Sequence, residues 1–366
     1  MDIVKKAWIL DTDIGWDPDD IIALLCLIQY IKKSNDKLAI ISSNETIENN
    51  RAYLIKDIVD ELIPNNILVA HGVKNTELIV TNNHNIPLFS SYLKYHKNSK
   101  KNISNIDNII EFINESKQNN YHVTWLGIGS MTNIAYLLKK NIKPDNIIQM
   151  GGTIYDEVEF NIKLDIISCK YVLENWNNSN TLEFITLDTT GYNLEWIKSS
   201  EEKLYDRLHD NFKNILSEKY PYILETIINN INFNENNIGY NQSSSLHDPL
   251  TIMYAIDHSI LKTYNSKIFC NVNGKWNAKI EKNTLLNLKN NNKYFKMWYD
   301  NIKDNVTIVN NIEQSVKKEH IIKENFLPNF FSNNINEYNC KISIGPLNDN
   351  QINNFIDKLF ILLNEK

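Results

Sequence analysis

Short apolar runs alternate with amphipathic stretches through the first half of the chain, and this alternation restricts the folds that the chain can adopt. Strands that alternate with helices favour a parallel sheet, because each helix must cross over one face of that sheet. We therefore predict an α/β fold with a mostly parallel sheet and helices on both faces. The predicted strands are Ala7–Leu10, Leu38–Ile41, Ile67–Val69, Val123–Leu126, Ile147–Met150 and Leu182–Thr186. The predicted helices are Ile21–Lys32, Ala52–Leu62, Asn133–Lys139 and Asp165–Asn175.

The second half of the chain is less regular and predicts fewer elements. They are a helix over Leu204–Asn232, a hairpin over Lys267–Ile280 that turns at Asn273-Gly274, a strand over Asn305–Asn310, and a C-terminal helix over Asn350–Leu363 whose apolar residues recur at helical spacing. The sequence contains no internal repeat and no linker rich in Pro, Gly or Ser. We therefore expect one domain over residues 1–366.

The composition excludes several classes of protein. Hydrophobic residues make up 42% of the 366 positions, which is enough for a large core. A net charge of −6 and the lack of a basic stripe argue against nucleic acid as a partner. The four cysteines lie far apart, which favours a reducing compartment. The N-terminal apolar run is too short for a signal peptide, and no run is long enough to span a membrane. We expect a soluble, cytoplasmic protein.

Five aspartates fall within ten positions directly after the first predicted strand. They are Asp11, Asp13, Asp17, Asp19 and Asp20. The pair Asp17-Pro18 is typical of a helix start, so the carboxylates would crowd around one strand-to-helix corner. Like charges repel at this density unless a cation or a helix N-terminus compensates them. Hard oxygen ligands suit Ca²⁺ or Mg²⁺, and a solvated acidic turn is the alternative.

Two further polar loops follow predicted strands. The segment GIGSMTN, residues 127–133, comes after one strand, and MGG, residues 150–152, comes at the end of the next. In parallel α/β sheets, ligands bind at the carboxyl ends of the strands. The aspartate-rich corner and these two loops would meet at that edge, where we predict a binding site.

Four separated segments carry motifs in a fixed order: DTDIGWDPDD at 11–20, GIGSMTNIA at 127–135, MGG at 150–152 with EFNIKLD at 159–165, and HDP at 247–249. Together, in this order, they resemble the calcium-dependent nucleoside hydrolase family, also called inosine-uridine-preferring nucleoside N-ribohydrolases. The resemblance extends from Ile9 to about Leu250, with a looser match near the C-terminus. It implies a single-domain fold with a Rossmann-like core, and a homodimer or homotetramer. It also implies an enzyme of purine or pyrimidine salvage that hydrolyses ribonucleosides to free base and ribose.

The same resemblance implies a calcium site. Asp13 corresponds to a ligand that also activates the attacking water, and Asp20 corresponds to a bidentate ligand. Asp248 would complete the shell and contact the ribose. Ile128 lies in the loop that supplies a main-chain oxygen, so its apolar side chain is compatible with the role.

The remaining matched positions would contact the nucleoside. Those assigned to the ribose are Asp19, Asn44, Met150, Glu159 and Asn161. His247 corresponds to a histidine that protonates the leaving base. Carboxylates around the sugar suit this chemistry, because glycosidic cleavage passes through a positively charged, oxocarbenium-like state.

The chain departs from the family pattern where the base would bind. Trp16 replaces a small or polar residue, the segment after His71-Gly72 lacks the family's HGxxG loop, and His84 is only a loose counterpart. Base preference is therefore left open.

Two other functions are alternatives to nucleoside hydrolysis. A haloacid-dehalogenase-type phosphatase fits DTD after the first strand, but it does not predict EFNxxxD or HDP. A non-catalytic ribosyl-binding protein could have lost Asp13, Asp20 or Asp248, and all three are present. Structural roles are predicted for Asp11, which caps or braces the turn, for Asp17 as an N-cap, and for the turn at Leu187-Asp188, which caps a loop.

Overall fold

A computed structural model describes residues 4–15, 19–46, 49–63, 67–74, 102–155, 157–176, 181–191, 246–312 and 337–364, with the single residues 217, 221 and 225. In these ranges ten strands form one sheet. The strands are β1 Lys6–Thr12, β2 Lys37–Ser42, β3 Leu68–His71, β4 His122–Gly127, β5 Asn146–Met150, β6 Leu182–Ile185, β7 Thr263–Cys270, β8 Trp276–Glu281, β9 Val306–Val309 and β10 Tyr338–Ser343.

The described helices flank this sheet. They are α1 Asp19–Lys33, α2 Asn50–Leu62, α3 Ile106–Gln118, α4 Thr132–Lys139, α5 Phe160–Leu164, α6 Ile166–Asn175, α7 Leu187–Thr190, α8 His247–Ile256, α9 Lys282–Asn291, α10 Phe295–Ile302 and α11 Asp349–Asn364. Among the described residues, no helix is long and apolar enough to cross a membrane.

The strand order is β3-β2-β1-β4-β5-β6-β10-β7-β8-β9. The pairs from β3 to β6 are parallel, as is the pair of β6 with β10. The hairpin β7–β8 is antiparallel and β9 pairs parallel to β8. The predicted α/β fold with a mostly parallel sheet is therefore confirmed.

The elements predicted from periodicity correspond to observed ones with small shifts at their ends. All six strands of the first half are present, as are the four helices, the hairpin, the strand β9 and the helix α11. The predicted helix over Leu204–Asn232 lies almost wholly outside the described residues. Strand β10 was not predicted; it enters the sheet between β6 and β7 and pairs antiparallel with β7.

Two apolar layers cover the two faces of the sheet. Alternate residues of β1 divide between them, with Trp8 and Leu10 in one layer and Ala7 and Ile9 in the other. The first layer packs against α1, which is apolar on all sides because α8 and α11 cover its outer face. Burial on both sides explains why this helix lacks a polar stripe.

The register of the parallel strands brings their carboxyl ends to one edge. Asp11 of β1 lies opposite Gly127 of β4, which lies opposite Gln149 of β5. The main-chain N–H of Ile128 donates to the oxygen of Asp11 at 2.8 Å, so the loop after β4 continues along β1. The three polar loops are therefore neighbours, as the sequence predicts.

Candidate active site

The aspartate-rich corner begins where β1 ends. Asp11 accepts a hydrogen bond from Asn133 Nδ2 at 2.9 Å, and the same amide donates to the oxygen of Ser42 at 3.0 Å. The Asn133 amide thus joins Asp11 and the end of β2 to the start of α4. Gly15 has a φ of 128°, which only glycine adopts readily. The predictions for Trp16 and for Asp17 as an N-cap lie outside the described residues.

Three buried carboxylates meet at the start of two helices. Asp19 and Asp20 open α1, and Asp248 lies in the first turn of α8, which packs against α1. One carboxylate oxygen from each residue lies within 4.8 Å of the other two. The N-terminus of a helix carries a partial positive charge, which stabilises carboxylates placed there.

Asp19 connects the two helix starts. Its Oδ1 accepts from the N–H of Asp20 at 3.1 Å, and its Oδ2 accepts from the N–H of Asp248 at 3.4 Å. The position of the Asp19 carboxylate is therefore set by main-chain hydrogen bonds from the starts of both helices.

The electrostatics of Asp20 and Asp13 show how much charge is concentrated here. Burial and the charges of Asp13 and Asp19 raise the pKa of Asp20 well above its usual range, although Asp20 Oδ1 accepts from Thr12 Oγ1 at 2.5 Å. The pKa of Asp13 is also raised, because the effect of burial exceeds the opposing effect of the nearby Arg51 guanidinium. A bound cation would favour the ionised forms of both groups.

Asp13 lies against the loop that follows β4. A Cβ atom added to Gly129 would come within 3.0 Å of Asp13 Oδ1, so the missing side chain allows this close approach. The carbonyl of Ile128, the predicted main-chain ligand, belongs to the same loop. The structure therefore brings the loop of Ile128 beside the corner of Asp13.

Asn161 connects the loops after β4 and β5. Its Nδ2 lies 3.3 Å from the oxygen of Ile128 and 3.3 Å from the oxygen of Met150. Asn161 and Met150 are both buried. The three residues, which the family resemblance assigns to metal and sugar, form one contact group.

Glu159 is the N-cap of the short helix α5. It accepts from the N–H groups of Asn161 at 2.8 Å, and of Gly152 and Ile162 at 3.1 Å each. Burial raises the pKa of this carboxyl to about 7, and the three backbone donors act in the opposite direction. The structure thus shows Glu159 fastening the MGG turn to α5.

His247 begins α8. Its Nδ1 pairs with Thr190 Oγ1 at 2.8 Å, and burial lowers the pKa of the imidazole to about 4. The ring is therefore mainly neutral at pH 7. This contact connects α8 to α7, the turn that follows β6.

The turn at Leu187-Asp188 has the structural role that the sequence predicts. Asp188 is buried and accepts from the N–H of Ile154 at 2.8 Å and from Trp298 Nε1 at 3.2 Å. It thus joins the loop after β5 to α10.

Arg51 was not predicted from the sequence. It is 3% exposed, and its Nη1 donates to the main-chain oxygens of Asp13 and Ile14, the latter at 2.5 Å. Its Nε donates to the oxygen of Asn44 at 3.0 Å. Asn44 has a φ of 47°, a left-handed conformation that asparagine tolerates. An arginine just before a helical pattern usually lies in solvent, so the sequence contained no signal for this role.

The donor set suits a hard divalent cation. Carboxylates converge from two helices, and carboxylate oxygens are ligands that Ca²⁺ prefers. A main-chain carbonyl, that of Ile128, lies in the loop beside Asp13. The fold and this carboxylate cluster define an α/β protein with a candidate cation site at the carboxyl edge of its sheet.

Comparison with known proteins identifies the family. The sequence profile of the inosine-uridine preferring nucleoside hydrolase family matches residues 8–317, and the chain belongs to this family. It is accordingly an enzyme of the nucleoside hydrolase class. Among curated protein sequences, none is significantly similar to this chain.

Solved structures show the same fold at low sequence identity. The purine-preferring ribonucleoside hydrolase from Gardnerella vaginalis has a TM-score of 0.58 at 16% identity, over 98% of this chain and 99% of that one. An inosine-guanosine nucleoside hydrolase has a TM-score of 0.58 at 15% identity, over 99% and 100% of the two chains. The type III effector XopQ, complexed with adenosine diphosphate ribose, has a TM-score of 0.54 at 15% identity, over 72% and 85%.

Proposed function

We propose that this protein hydrolyses the N-glycosidic bond of ribonucleosides to free base and ribose. In this proposal Asp13, Asp20, Asp248 and the main-chain oxygen of Ile128 hold one Ca²⁺. The observation that carries the proposal is the meeting of two of these ligands, Asp20 and Asp248, with the carboxylate of Asp19; Asp13 is not one of the three carboxylates that meet among the described residues. The three carboxylates lie within 4.8 Å of one another although Asp19 and Asp248 are 229 positions apart in the chain.

The proposed chemistry divides between the ion and the side chains. Calcium at this site would lower the pKa of a water molecule and orient it. Asp13 would take the proton from the attacking water, because its buried carboxylate lies against the loop of Ile128 and is close enough to Asp20 for its charge to raise the pKa of that group. The buried carboxylates would stabilise the positive charge that develops on the ribose ring.

The ribose would be held from the same edge of the sheet. Asp19, Asn44 and Asn161 would bind its hydroxyls, and Met150 would pack beneath the ring. Glu159 was also predicted to bind the ribose. The described contacts of its two oxygens are with backbone N–H groups, and this favours a supporting role, in which Glu159 fixes Asn161.

A panel of nucleosides tests the proposal. Inosine, guanosine, adenosine, uridine and cytidine are each incubated with the purified protein, and the release of reducing sugar is measured with and without a calcium chelator. We expect sugar release from at least one nucleoside, its loss with chelator, and its recovery when calcium is added back. Absence of sugar release from every nucleoside in the presence of calcium would overturn the proposal.

Magnesium provides a second arm of the same experiment. Ca²⁺ accepts six to eight oxygen ligands in a flexible arrangement, whereas Mg²⁺ requires near-octahedral geometry at shorter distances. We expect magnesium to restore less activity than calcium. A stronger recovery with magnesium would contradict the choice of ion while leaving the reaction in place.

Three features remain predictions from the sequence. They are the single domain over residues 1–366, the cytoplasmic location, and assembly as a homodimer or homotetramer. The identity of the preferred base also awaits the nucleoside panel.

A further inference from the structure

The guanidinium of Arg51 joins two segments of the proposed site. Its Nη1 donates to the main-chain oxygens of Asp13 and Ile14, and its Nε donates to the oxygen of Asn44. Asp13 belongs to the metal side of the site, and Asn44 belongs to the sugar side. One planar group thus links the backbone of both.

The backbone at Arg51 is fixed independently of its side chain. The carboxylate of Glu45 accepts from the N–H of Arg51 at 3.1 Å, of Ala52 at 2.9 Å and of Thr46 at 2.7 Å. These bonds hold the start of α2 and would survive a change of the Arg51 side chain. A variant at this position is therefore expected to keep α2.

Arg51 is positively charged, unlike the acidic side chains around it at the end of β1. The neighbouring side chains Asp13 and Asp20 are acidic and buried, whereas a guanidinium stays protonated at any pH at which the protein is folded. Its five N–H donors lie in one plane, which allows several carbonyl oxygens to be bound at once. A lysine at this position would keep the charge and lose the planar fork.

We propose that Arg51 is a positioning residue that holds the Asp13 corner against the Asn44 turn and so maintains the spacing between the metal ligands and the ribose-binding groups. This inference rests on the proposed function. The proposed role depends on the hydrogen bonds from the planar guanidinium to three carbonyl oxygens, which we call the fork. A positive charge without these hydrogen bonds should therefore not maintain the spacing.

Two substitutions separate the fork from the charge. Arg51→Lys keeps a positive charge but cannot reach three carbonyl oxygens on two segments. Arg51→Met removes both the charge and the donors at similar length. Lys279→Met is the matched control, because Lys279 is also a buried cation, 2% exposed and paired with Glu337 at 3.0 Å. It lies on β8, six strand positions from β1.

The measurements are calcium affinity by isothermal titration without nucleoside, and kcat and KM for the best nucleoside. All are made well below the unfolding temperature of each variant. We expect Arg51→Lys and Arg51→Met each to weaken calcium binding by about 10-fold or more and to lower kcat, as changes to residues that orient metal ligands do. Lys279→Met should bind calcium and turn over substrate as the wild type does.

Each other result has a distinct meaning. If Arg51→Lys has wild-type affinity and kcat, or if Arg51→Met binds calcium more tightly, the charge matters rather than the fork, and the inference is wrong. If both variants lower only the unfolding temperature, Arg51 is structural and the inference is again wrong. A wild-type protein that binds no calcium would overturn the proposed function, and with it the role of Arg51.

Discussion

The main-chain N–H of Asp248 donates at 3.4 Å to the carboxylate of Asp19, which lies 229 positions earlier in the chain, and so joins the starts of two helices. Asp19 also accepts from the N–H of Asp20. Two helix N-termini thereby face one cluster of carboxylates, and each contributes partial positive charge. The partial positive charge offsets part of the repulsion among the carboxylates, while the raised pKa of Asp20 shows that the ionised cluster is still disfavoured without a cation.

Asp13→Ala should lower kcat by about 10²-fold or more, because it removes both the proposed general base and a metal ligand. The measurement is steady-state ribose release from the best nucleoside, with circular dichroism to show that the fold is retained. Asp257→Asn is the control, because Asp257 pairs with Lys358 at a half-exposed position. Wild-type turnover by Asp13→Ala would exclude the assigned role.

Asn161→Ala should lower kcat/KM by about 10-fold, which is the effect expected from the loss of one or two hydrogen bonds to the ribose. The secondary structure should stay unchanged. Asn175→Ala is the matched control, because the Asn175 amide also donates to a main-chain oxygen, that of Tyr171 at 2.8 Å. Equal kinetic losses in the two variants would argue against a ribose contact by Asn161.

His247→Ala distinguishes two roles of the histidine. If His247 protonates the leaving base, kcat/KM should fall for inosine and stay near the wild-type value for p-nitrophenyl riboside, whose leaving group departs as a stable anion. The imidazole is neutral at pH 7 in the ligand-free protein, since burial lowers its pKa to about 4. The acid role therefore requires a proton that is acquired in the complex. Equal losses on both substrates would assign His247 to positioning, through Thr190.

Glu159 predicts a pH dependence of stability. Burial raises the pKa of its carboxyl from 4.5 to about 7, so the folded state binds the proton more tightly than the unfolded state does. The contribution of this group to the free energy of unfolding is complete below pH 4.5 and is lost as the pH rises to about 7. The loss is of the order of 3 kcal/mol.

Urea unfolding of the calcium-free protein between pH 4.5 and 7.5 checks this dependence. Glu159→Gln does not titrate, so its free energy of unfolding should fall less steeply over that range than the wild type's. Glu115→Gln, at an exposed position on α3, should keep the wild-type slope. Parallel curves for the wild type and Glu159→Gln would contradict the assignment.

The parallel half of the fold could be predicted because each of its strands is a short apolar run between helical patterns. Strand β10 could not be predicted, because its apolar and polar residues alternate over only six positions. Its place between β6 and β7 is set by tertiary pairing. The acidic members of the site were visible as motifs. Arg51 was not, because its role depends on where three carbonyl oxygens lie in space.

The rate of ribose release as a function of free calcium tests the central claim most directly. Protein stripped with chelator is titrated with CaCl₂ in the presence of a saturating nucleoside, for the wild type and for Asp248→Asn. The account predicts negligible release without calcium, a saturable rise with one ion bound per chain, and a rise in Asp248→Asn that needs at least about 10-fold more calcium. A rate that is independent of calcium in the wild type, or identical calcium curves for the two proteins, would contradict it.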